Sequence, residues 1–495
     1  MIVYVTLFAF VLLILYLWHV NNALSAIPDD VARLAGKPFT EEFARETYKR
    51  IESDPIDFAK HLPPKTGRRY IVTGGTGFLG KWTVFHLLQR GESPTSIRVV
   101  DLRPPTSLWA NDFRGPQRLQ VLQDATAKVG FEAGDVTDPQ SILRAFEAPW
   151  AGDVKDAPLT VLHCAAVIRH WETADIFYPR CSKVNVEGTK NVLDAAKAVG
   201  ASILIATSSG SVGVRRPYLW ARPWERHGKF FAQVFGDDTK GLPEKKEEFF
   251  SNYPYSKWMA EQFVLDADDK TGGMRTGAIR PGNGIYGGGG DFTVGTYLTH
   301  NGGPQWIDHI IQNFISVSNA VLAHLLYEKR LIDLEKSSNL PDIGGRAFIV
   351  TDPNPAIRFG DIYTLLPLTA LSKPKFFRIP PITLFVMSHL VEGYSRLQYY
   401  LNWLPEIEQP LCMLTPALFS ASCVHTVLDD SAARAAPEAG GLGYRAPVTT
   451  AEGLCMQVLE FNKNLENIGS AGIEGGASGV KGAVEKVAVA APKKM

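Results

Sequence analysis

Tyr253 and Lys257 stand four positions apart in the run Tyr253-Pro-Tyr-Ser-Lys257. Positions i and i+4 share one face of a helix, so this spacing points a phenol and an ammonium into the same cleft. The pair suits moving a proton to or from an alcohol while a nicotinamide carries the hydride. In a chain of 495 residues the spacing also arises by accident, so its weight comes from its surroundings.

The first of these is Val72 to Gly80, VTGGTGFLG. Gly74, Gly77 and Gly80 follow an apolar strand and open a helix. The first allows a tight turn, the second lets the backbone approach a pyrophosphate, and the third lets helix pack on strand. Phe78 and Leu79 then start the helix, whose free N–H groups and dipole favour an anion. Asp101 ends the next strand, where a carboxylate accepts hydrogen bonds from ribose hydroxyls and favours NAD over NADP. Arg103 is near enough to reverse that preference. Asp135 and Val136, in GDVTDP, end the third strand beside an adenine edge, or else Asp135 is a turn carboxylate. Ala165 and Ala166 follow the fourth strand, where small side chains let a cofactor lie against the backbone. Ser208 and Ser209 follow the fifth strand at the nicotinamide end, although serines at strand ends usually satisfy turns. Pro281, in RPGNG, follows the sixth, where open backbone can line the nicotinamide face.

Short buried strands alternate with helices of ten or more residues. The strands are Arg69–Thr73, Ile97–Asp101, Phe131–Ala133, Leu159–Cys164, Ile203–Thr207 and Thr276–Arg280; helices include Val184–Val199 and Tyr255–Asp268. This pattern predicts an α/β fold with a doubly wound, Rossmann-type parallel sheet over residues 67–281. A smaller lobe for substrate, interleaved with the sheet domain, is expected over 282–467, and a disordered Gly/Ala/Lys-rich tail over 468–495.

Net charge is zero, which gives no support for a nucleic-acid partner. Five scattered cysteines without a Cys-x-x-Cys read as reduced core thiols, and no metal is expected. Residues 1–22 are a different matter: Ile2 to Val20 is apolar throughout, and about 20 such residues span a bilayer. A signal peptide is the competing reading, with Ala23-Leu24-Ser25 as a cleavage site, but the apolar run is long and no basic segment precedes it. A retained anchor is expected, followed by a polar connector over 23–66. Arg33 and Lys37 lie after the span, which places the body in the cytosol. Ile379 to Leu404 is also apolar but carries His389, Glu392 and Arg396. It reads as a core helix or a membrane-resting one, not a second span. The aromatic and basic segment Arg215 to Phe235 poses the same choice between covering the lobe and touching a membrane.

Taken in order, TGGTGFLG, GDVTD, HCAAV, VNVEGTKNVLDAA, TSSGSV, YPYSKWMAE and RPGNGIYG resemble the extended short-chain dehydrogenases. FISVSNAVLAHLL, GRAFIVTDPNP, FFRIPPITLFVMSHLVEGY and LGYRAPVTTAEGL are similar to the second half of the 3β-hydroxysteroid dehydrogenase family. The resemblance covers about Arg69 to Phe461. It implies that Ser209, Tyr253 and Lys257 form the catalytic triad. Tyr253 as phenolate takes the proton of a substrate hydroxyl, Ser209 orients that hydroxyl, and Lys257 stabilises the phenolate and holds the ribose. A free phenol titrates near ~10, so that help is needed at neutral pH. Ser318 departs from the family, which usually carries Asp there, and puts a contact at the start of that helix in doubt.

The resemblance further implies a membrane-anchored oxidoreductase of the endoplasmic reticulum, single-pass, using NAD, with NADP as the alternative. The expected substrate is a sterol or steroid-like lipid, first a sterol 4α-carboxylate that loses carbon dioxide once C3 is a ketone. Alternatives are a dehydrogenase with Δ5-Δ4 isomerase activity, a terpenoid-modifying relative, a sugar-nucleotide epimerase or reductase, and a non-catalytic NAD(P)-sensing module. A homodimer or other sterol-pathway enzymes complete the expected partners.

Overall fold

The computed structural model describes residues 1–105, 128–336 and 339–473. Seven parallel strands form the central sheet: β1 (Arg69–Thr73), β2 (Ile97–Asp101), β3 (Gly130–Ala133), β4 (Leu159–His163), β5 (Ile203–Thr207), β6 (Arg275–Pro281) and β7 (Arg346–Val350). Their spatial order is β7-β6-β5-β4-β1-β2-β3. The chain reverses direction across the sheet between β1 and β4, and ligands of such sheets bind at the carboxyl ends of the strands flanking that reversal. Registers bring those ends level: Thr73 pairs with His163, His163 with Ala206 and Thr207 with Ile279.

Alternation along the strands builds a core on each face. Tyr70, Val72, Val99, Leu162, Ile203, Ile205 and Ile279 face one layer of helices. That layer includes α3 (Phe78–Gln89) and α6 (Val317–Lys336). Ile71, Val100, Val161, Leu204 and Ala206 face the other, where α4 (Gly188–Ala198) and α5 (Asn252–Asp266) lie. β7 comes from beyond Pro281, so the sheet draws on both sides of the expected boundary. Its apolar run FIV was legible, but it lies far along the chain from the other strands.

Further helices include α1 (Ile2–Leu24), α2 (Glu41–Ser53), α7 (Pro381–Tyr400) and α8 (Thr450–Ile473). A four-stranded side sheet orders Ile357–Arg358, Ile311–Gln312, His425–Asp429 and Ala232–Gly236. A third core gathers Phe231, Phe314, Tyr363, Leu366, Phe385 and Phe419 beside Val20 and Leu24 of α1 and Ala44 and Ile51 of α2. The connector is therefore partly packed, with the Thr40 hydroxyl capping α2 by accepting from the Phe43 amide at 3.1 Å. Among the described residues, Ile2–Ala32 is the helical stretch long and apolar enough to cross a membrane, with mean hydropathy 2.3.

Two expectations are adjusted. The tail expected to be disordered from residue 468 is helical as far as Ile473, because α8 continues that far; residues 474–495 lie outside the described residues. The contact in doubt at Ser318 is supplied from elsewhere: the Asp352 carboxylate accepts from the Ser316 amide at 2.8 Å and from Asn319 Nδ2 at 2.7 Å. Ser318 Oγ instead meets His86 Nε2 at 3.0 Å.

Candidate active site

Tyr253 occupies the first turn of α5, and Lys257 the next, on the same face. Both side chains are buried. Lys257 Nζ donates to the Thr207 carbonyl at the end of β5, at 2.5 Å. Two residues on, Ser209 is extended and starts the turn Gly210–Gly213. Its hydroxyl accepts from the Ser211 amide at 3.2 Å and lies 2.8 Å from Ser211 Oγ. The same hydroxyl is the polar neighbour of the Tyr253 phenol. The three sequence-chosen residues therefore lie together: Ser209 satisfies a turn, as serines at strand ends usually do, and its hydroxyl also meets the Tyr253 phenol.

Burial pushes the Tyr253 phenol up to about 12, against a lowering contribution from the Ser209 hydrogen bond. Burial pushes Lys257 down to about 8, opposed by the Glu261 carboxylate one turn further along α5. Desolvation disfavours the charged form of each group. An alkoxide-forming proton transfer needs the phenolate, so positive charge beside Tyr253 is what the site must supply.

Several supporting residues lie outside the sequence reading. Asn185 sits in a π-helical turn, Lys183–Glu187, a distortion that often marks functional sites. Its amide accepts from the Val167 amide at 2.8 Å and donates to the Val167 carbonyl at 3.0 Å and to Ser256 Oγ at 2.9 Å. Ser256 Oγ in turn donates to the Tyr253 carbonyl at 2.7 Å. Asn252 donates to the carbonyls of Glu172 and Ala174, both at 2.9 Å. The loop after β4 is thus tied to the start of the helix that carries Tyr253. Thr207 Oγ1 meets His324 Nε2 at 2.8 Å, with His324 Nδ1 on the Ala320 carbonyl. A π-turn has no clear signature in composition, and His324 lies 117 positions from Thr207.

The glycine loop fits a dinucleotide pyrophosphate. Gly74 has φ +69°, and a Cβ there would lie 2.6 Å from the Ala165 Cα. A Cβ on Gly80 would lie 2.1 Å from the Gly74 carbonyl oxygen. Gly77 is the cap of α3 and no side chain caps the helix, so the Phe78 and Leu79 end is open to an anion. Asp101 leans into this loop, accepting from the Thr76 amide at 3.1 Å and the Leu102 amide at 2.7 Å. Ala165 packs on Gly74, and Ala166 beside it is exposed. Pro281 places its carbonyl against Gly210.

Asp135 takes part in a turn at the end of β3. Its carboxylate accepts from the Thr137 amide at 2.8 Å, and its amide donates to Ser141 Oγ at 3.1 Å, the turn arrangement. The next helix is capped by Asp138, not by Asp135. The Val136 carbonyl accepts from Asn191 Nδ2 at 2.8 Å.

The fold is shared with MoeE5, solved with UDP-glucuronic acid and NAD: TM-score 0.50 at 18% identity, over 80% of this chain and 99% of that one. The mouse 3 beta-hydroxysteroid dehydrogenase type 7 is 30% identical over 308 residues, 59% of this chain and 70% of its own. The Arabidopsis thaliana 3beta-hydroxysteroid-dehydrogenase/decarboxylase isoform 2 is 27% identical over 410 residues, 80% of this chain and 63% of its own. Residues 71–375 match the model of the 3-beta hydroxysteroid dehydrogenase/isomerase family, and the chain belongs to that family of extended short-chain dehydrogenases, as an oxidoreductase.

Proposed function

We propose that the chain oxidises the 3β-hydroxyl of a sterol or steroid to the ketone, with Tyr253, Lys257 and Ser209 as the groups that do it. The observation that carries this reading is the convergence of those three side chains at the carboxyl ends of the strands, next to a glycine cradle that a single Cβ would fill. Gly74, Gly77, the Phe78–Leu79–Gly80 helix start and Asp101 would hold NAD, which would supply the hydride acceptor when bound. Ala165, Ala166 and Pro281 are assigned to the cofactor's walls; Asp135 and Val136 are assigned to its adenine end.

Ser209 Oγ donates to the substrate oxygen and fixes it beside the phenol. Tyr253 Oη removes the hydroxyl proton as the C3–H bond gives up its hydride, which leaves a carbonyl. Lys257, which rests on the Thr207 carbonyl, would hold the ribose hydroxyls of bound NAD, and its positive charge would favour the Tyr253 phenolate. Donors aimed at developing negative charge act strongly in a site closed to water.

Within this class the substrate we favour is a sterol 4α-carboxylate. Its 3-ketone is a β-keto acid, which loses carbon dioxide through an enol without a further catalytic group. The decarboxylase name of the Arabidopsis relative supports that choice; the family's isomerase members keep Δ5-Δ4 isomerisation as the second reading. α1 serves as a single-pass anchor in the endoplasmic reticulum membrane, with the body in the cytosol. Incubating the detergent-solubilised full chain and NAD with 3β-hydroxysterols, with and without a 4α-carboxylate, and with UDP-hexoses tests the proposal. Reduced nicotinamide is expected with the sterols, and carbon dioxide with the carboxylated one. Turnover of UDP-hexose alone would overturn it.

A further inference from the structure

His324 is buried on α6, among the core residues Ala320, Val321 and Leu325. It takes no part in the chemistry assigned to Tyr253, Lys257 and Ser209. Its two contacts fix its state. A carbonyl only accepts, so the bond of Nδ1 to the Ala320 carbonyl at 2.8 Å places the ring proton on Nδ1. Burial pushes the ring down to about 4, opposed by that carbonyl and aided by the Lys257 ammonium, so it is neutral. Nε2 is therefore bare, and accepts from the Thr207 hydroxyl at 2.8 Å.

Thr207 ends β5 and serves both layers of the fold. Its hydroxyl faces α6, and its carbonyl accepts from Lys257 Nζ of α5 at 2.5 Å. Among the described residues, that carbonyl is the hydrogen-bond acceptor Lys257 uses. The Ser208 amide next to it donates to the Ile279 carbonyl at 2.7 Å, and Ser209 follows. A β-branched side chain is stiff at χ1, so a hydroxyl held by His324 holds the strand end on which Lys257 rests. The same hydroxyl lies 3.7 Å from Cys164 Sγ, which lies 3.8 Å from Thr83 Oγ1. Thr83 donates to the Leu79 carbonyl at 3.0 Å, so this line of polar contacts ends in the first turn of α3.

We propose that His324 is a positioning residue for this site: through the Thr207 hydroxyl it holds the carbonyl that supports the Lys257 ammonium. This rests on the reading that Lys257 would hold the ribose of NAD. The titratable groups around Lys257 are Tyr253 and Glu261 on α5, His163 and Cys164 at the end of β4, and His324 on α6. Glu261 favours the ammonium. His163 sits between Thr73 Oγ1 at 2.7 Å and Thr189 Oγ1 at 3.0 Å, and burial keeps it neutral. Of these groups, His324 makes the short contact to the residue that Lys257 rests on.

The test is the NAD affinity of the detergent-solubilised full chain, measured by calorimetry across the pH range in which Lys257 titrates. Affinity is expected to fall as pH rises past about 8, and Lys257→Met should abolish that fall. His324→Leu and Thr207→Val should each start the fall lower, by about half to one pH unit, because an ammonium with a poorer acceptor gives up its proton more readily. The two substitutions combined should shift it no further, since both break one contact. His324→Gln, whose amide oxygen can accept from Thr207, should stay near the parent. An unmoved fall in Thr207→Val would overturn the inference, whether or not His324→Leu folds. So would shifts that add in the double variant, or a His324→Gln that behaves like His324→Leu. Each of these outcomes leaves the ribose contact of Lys257 standing. A parent without the fall, or a fall that persists in Lys257→Met, would overturn that contact and the inference together.

Discussion

Burial sets the two titrating groups of the site against each other, with Tyr253 pushed up to about 12 and Lys257 down to about 8. For Lys257 this has a consequence for stability. Below pH 8 the folded chain holds a buried ammonium that the unfolded chain keeps in water. The drop from 10.5 to about 8 corresponds to a cost of about 3 kcal/mol. That cost is full below about pH 8 and fades as pH rises towards 10.5. Lys257→Met should therefore unfold at a higher temperature than the parent, without cofactor, at pH 7, and the gap should close between pH 8 and 10.5. A gap that does not change with pH would show that the buried charge is not its source. The same substitution should weaken NAD binding as well as turnover, checked by calorimetry; unchanged affinity with lost turnover would contradict the ribose contact.

At the level of elements, α5 is held to β6 and to the side sheet by a buried ion network. Arg280 donates to Glu261 at 2.6 and 2.9 Å and to Asp237 at 3.2 Å, and the Ile349 amide donates to Asp237 at 2.9 Å. Burial pushes Asp237 up to about 6 despite the guanidinium. Removing one partner of such a network leaves uncompensated buried charge and costs roughly 3–5 kcal/mol. Arg280→Met should lower the unfolding temperature and loosen the helix bearing Tyr253 and Lys257, measured by thermal unfolding and by amide exchange in α5. Loss limited to the far end of the sheet would place the network outside the site. Local patterns made six of the seven strands legible, to within a residue at each end, because each sits between a turn and an amphipathic helix. The Gly74–Gly80 loop was legible because its glycines answer to steric needs that strand and helix alone reveal. Asn185 and His324 were not, since each acts through a partner brought near only by folding. Asp135 satisfies a turn through the Thr137 amide, and its place at the end of the third strand is also what the proposed adenine contact rests on.

On the scale of the whole molecule, α1 and the body are one packed unit at the α1 base, where His309 Nε2 meets the Leu24 carbonyl at 2.7 Å and His425 Nε2 meets the Ala26 carbonyl at 2.9 Å. A cut through residue 22 would strip Val20 from the core, whereas residues 2–15 are all exposed. Deleting residues 2–15 should leave NAD binding and the thermal transition near those of the full chain while shifting most of the protein from the membrane pellet on carbonate extraction. Retention in the pellet would mean that another part of the chain suffices. The central claim is that Tyr253 moves the substrate proton at a sterol 3β-hydroxyl. Its most direct test is the reduction of NAD by the full chain and by Tyr253→Phe with one 3β-hydroxysterol, with NAD affinity measured on both. The account predicts unchanged affinity and turnover lowered by about 10²–10⁴-fold in the variant; a variant that turns over as fast as the parent would contradict it.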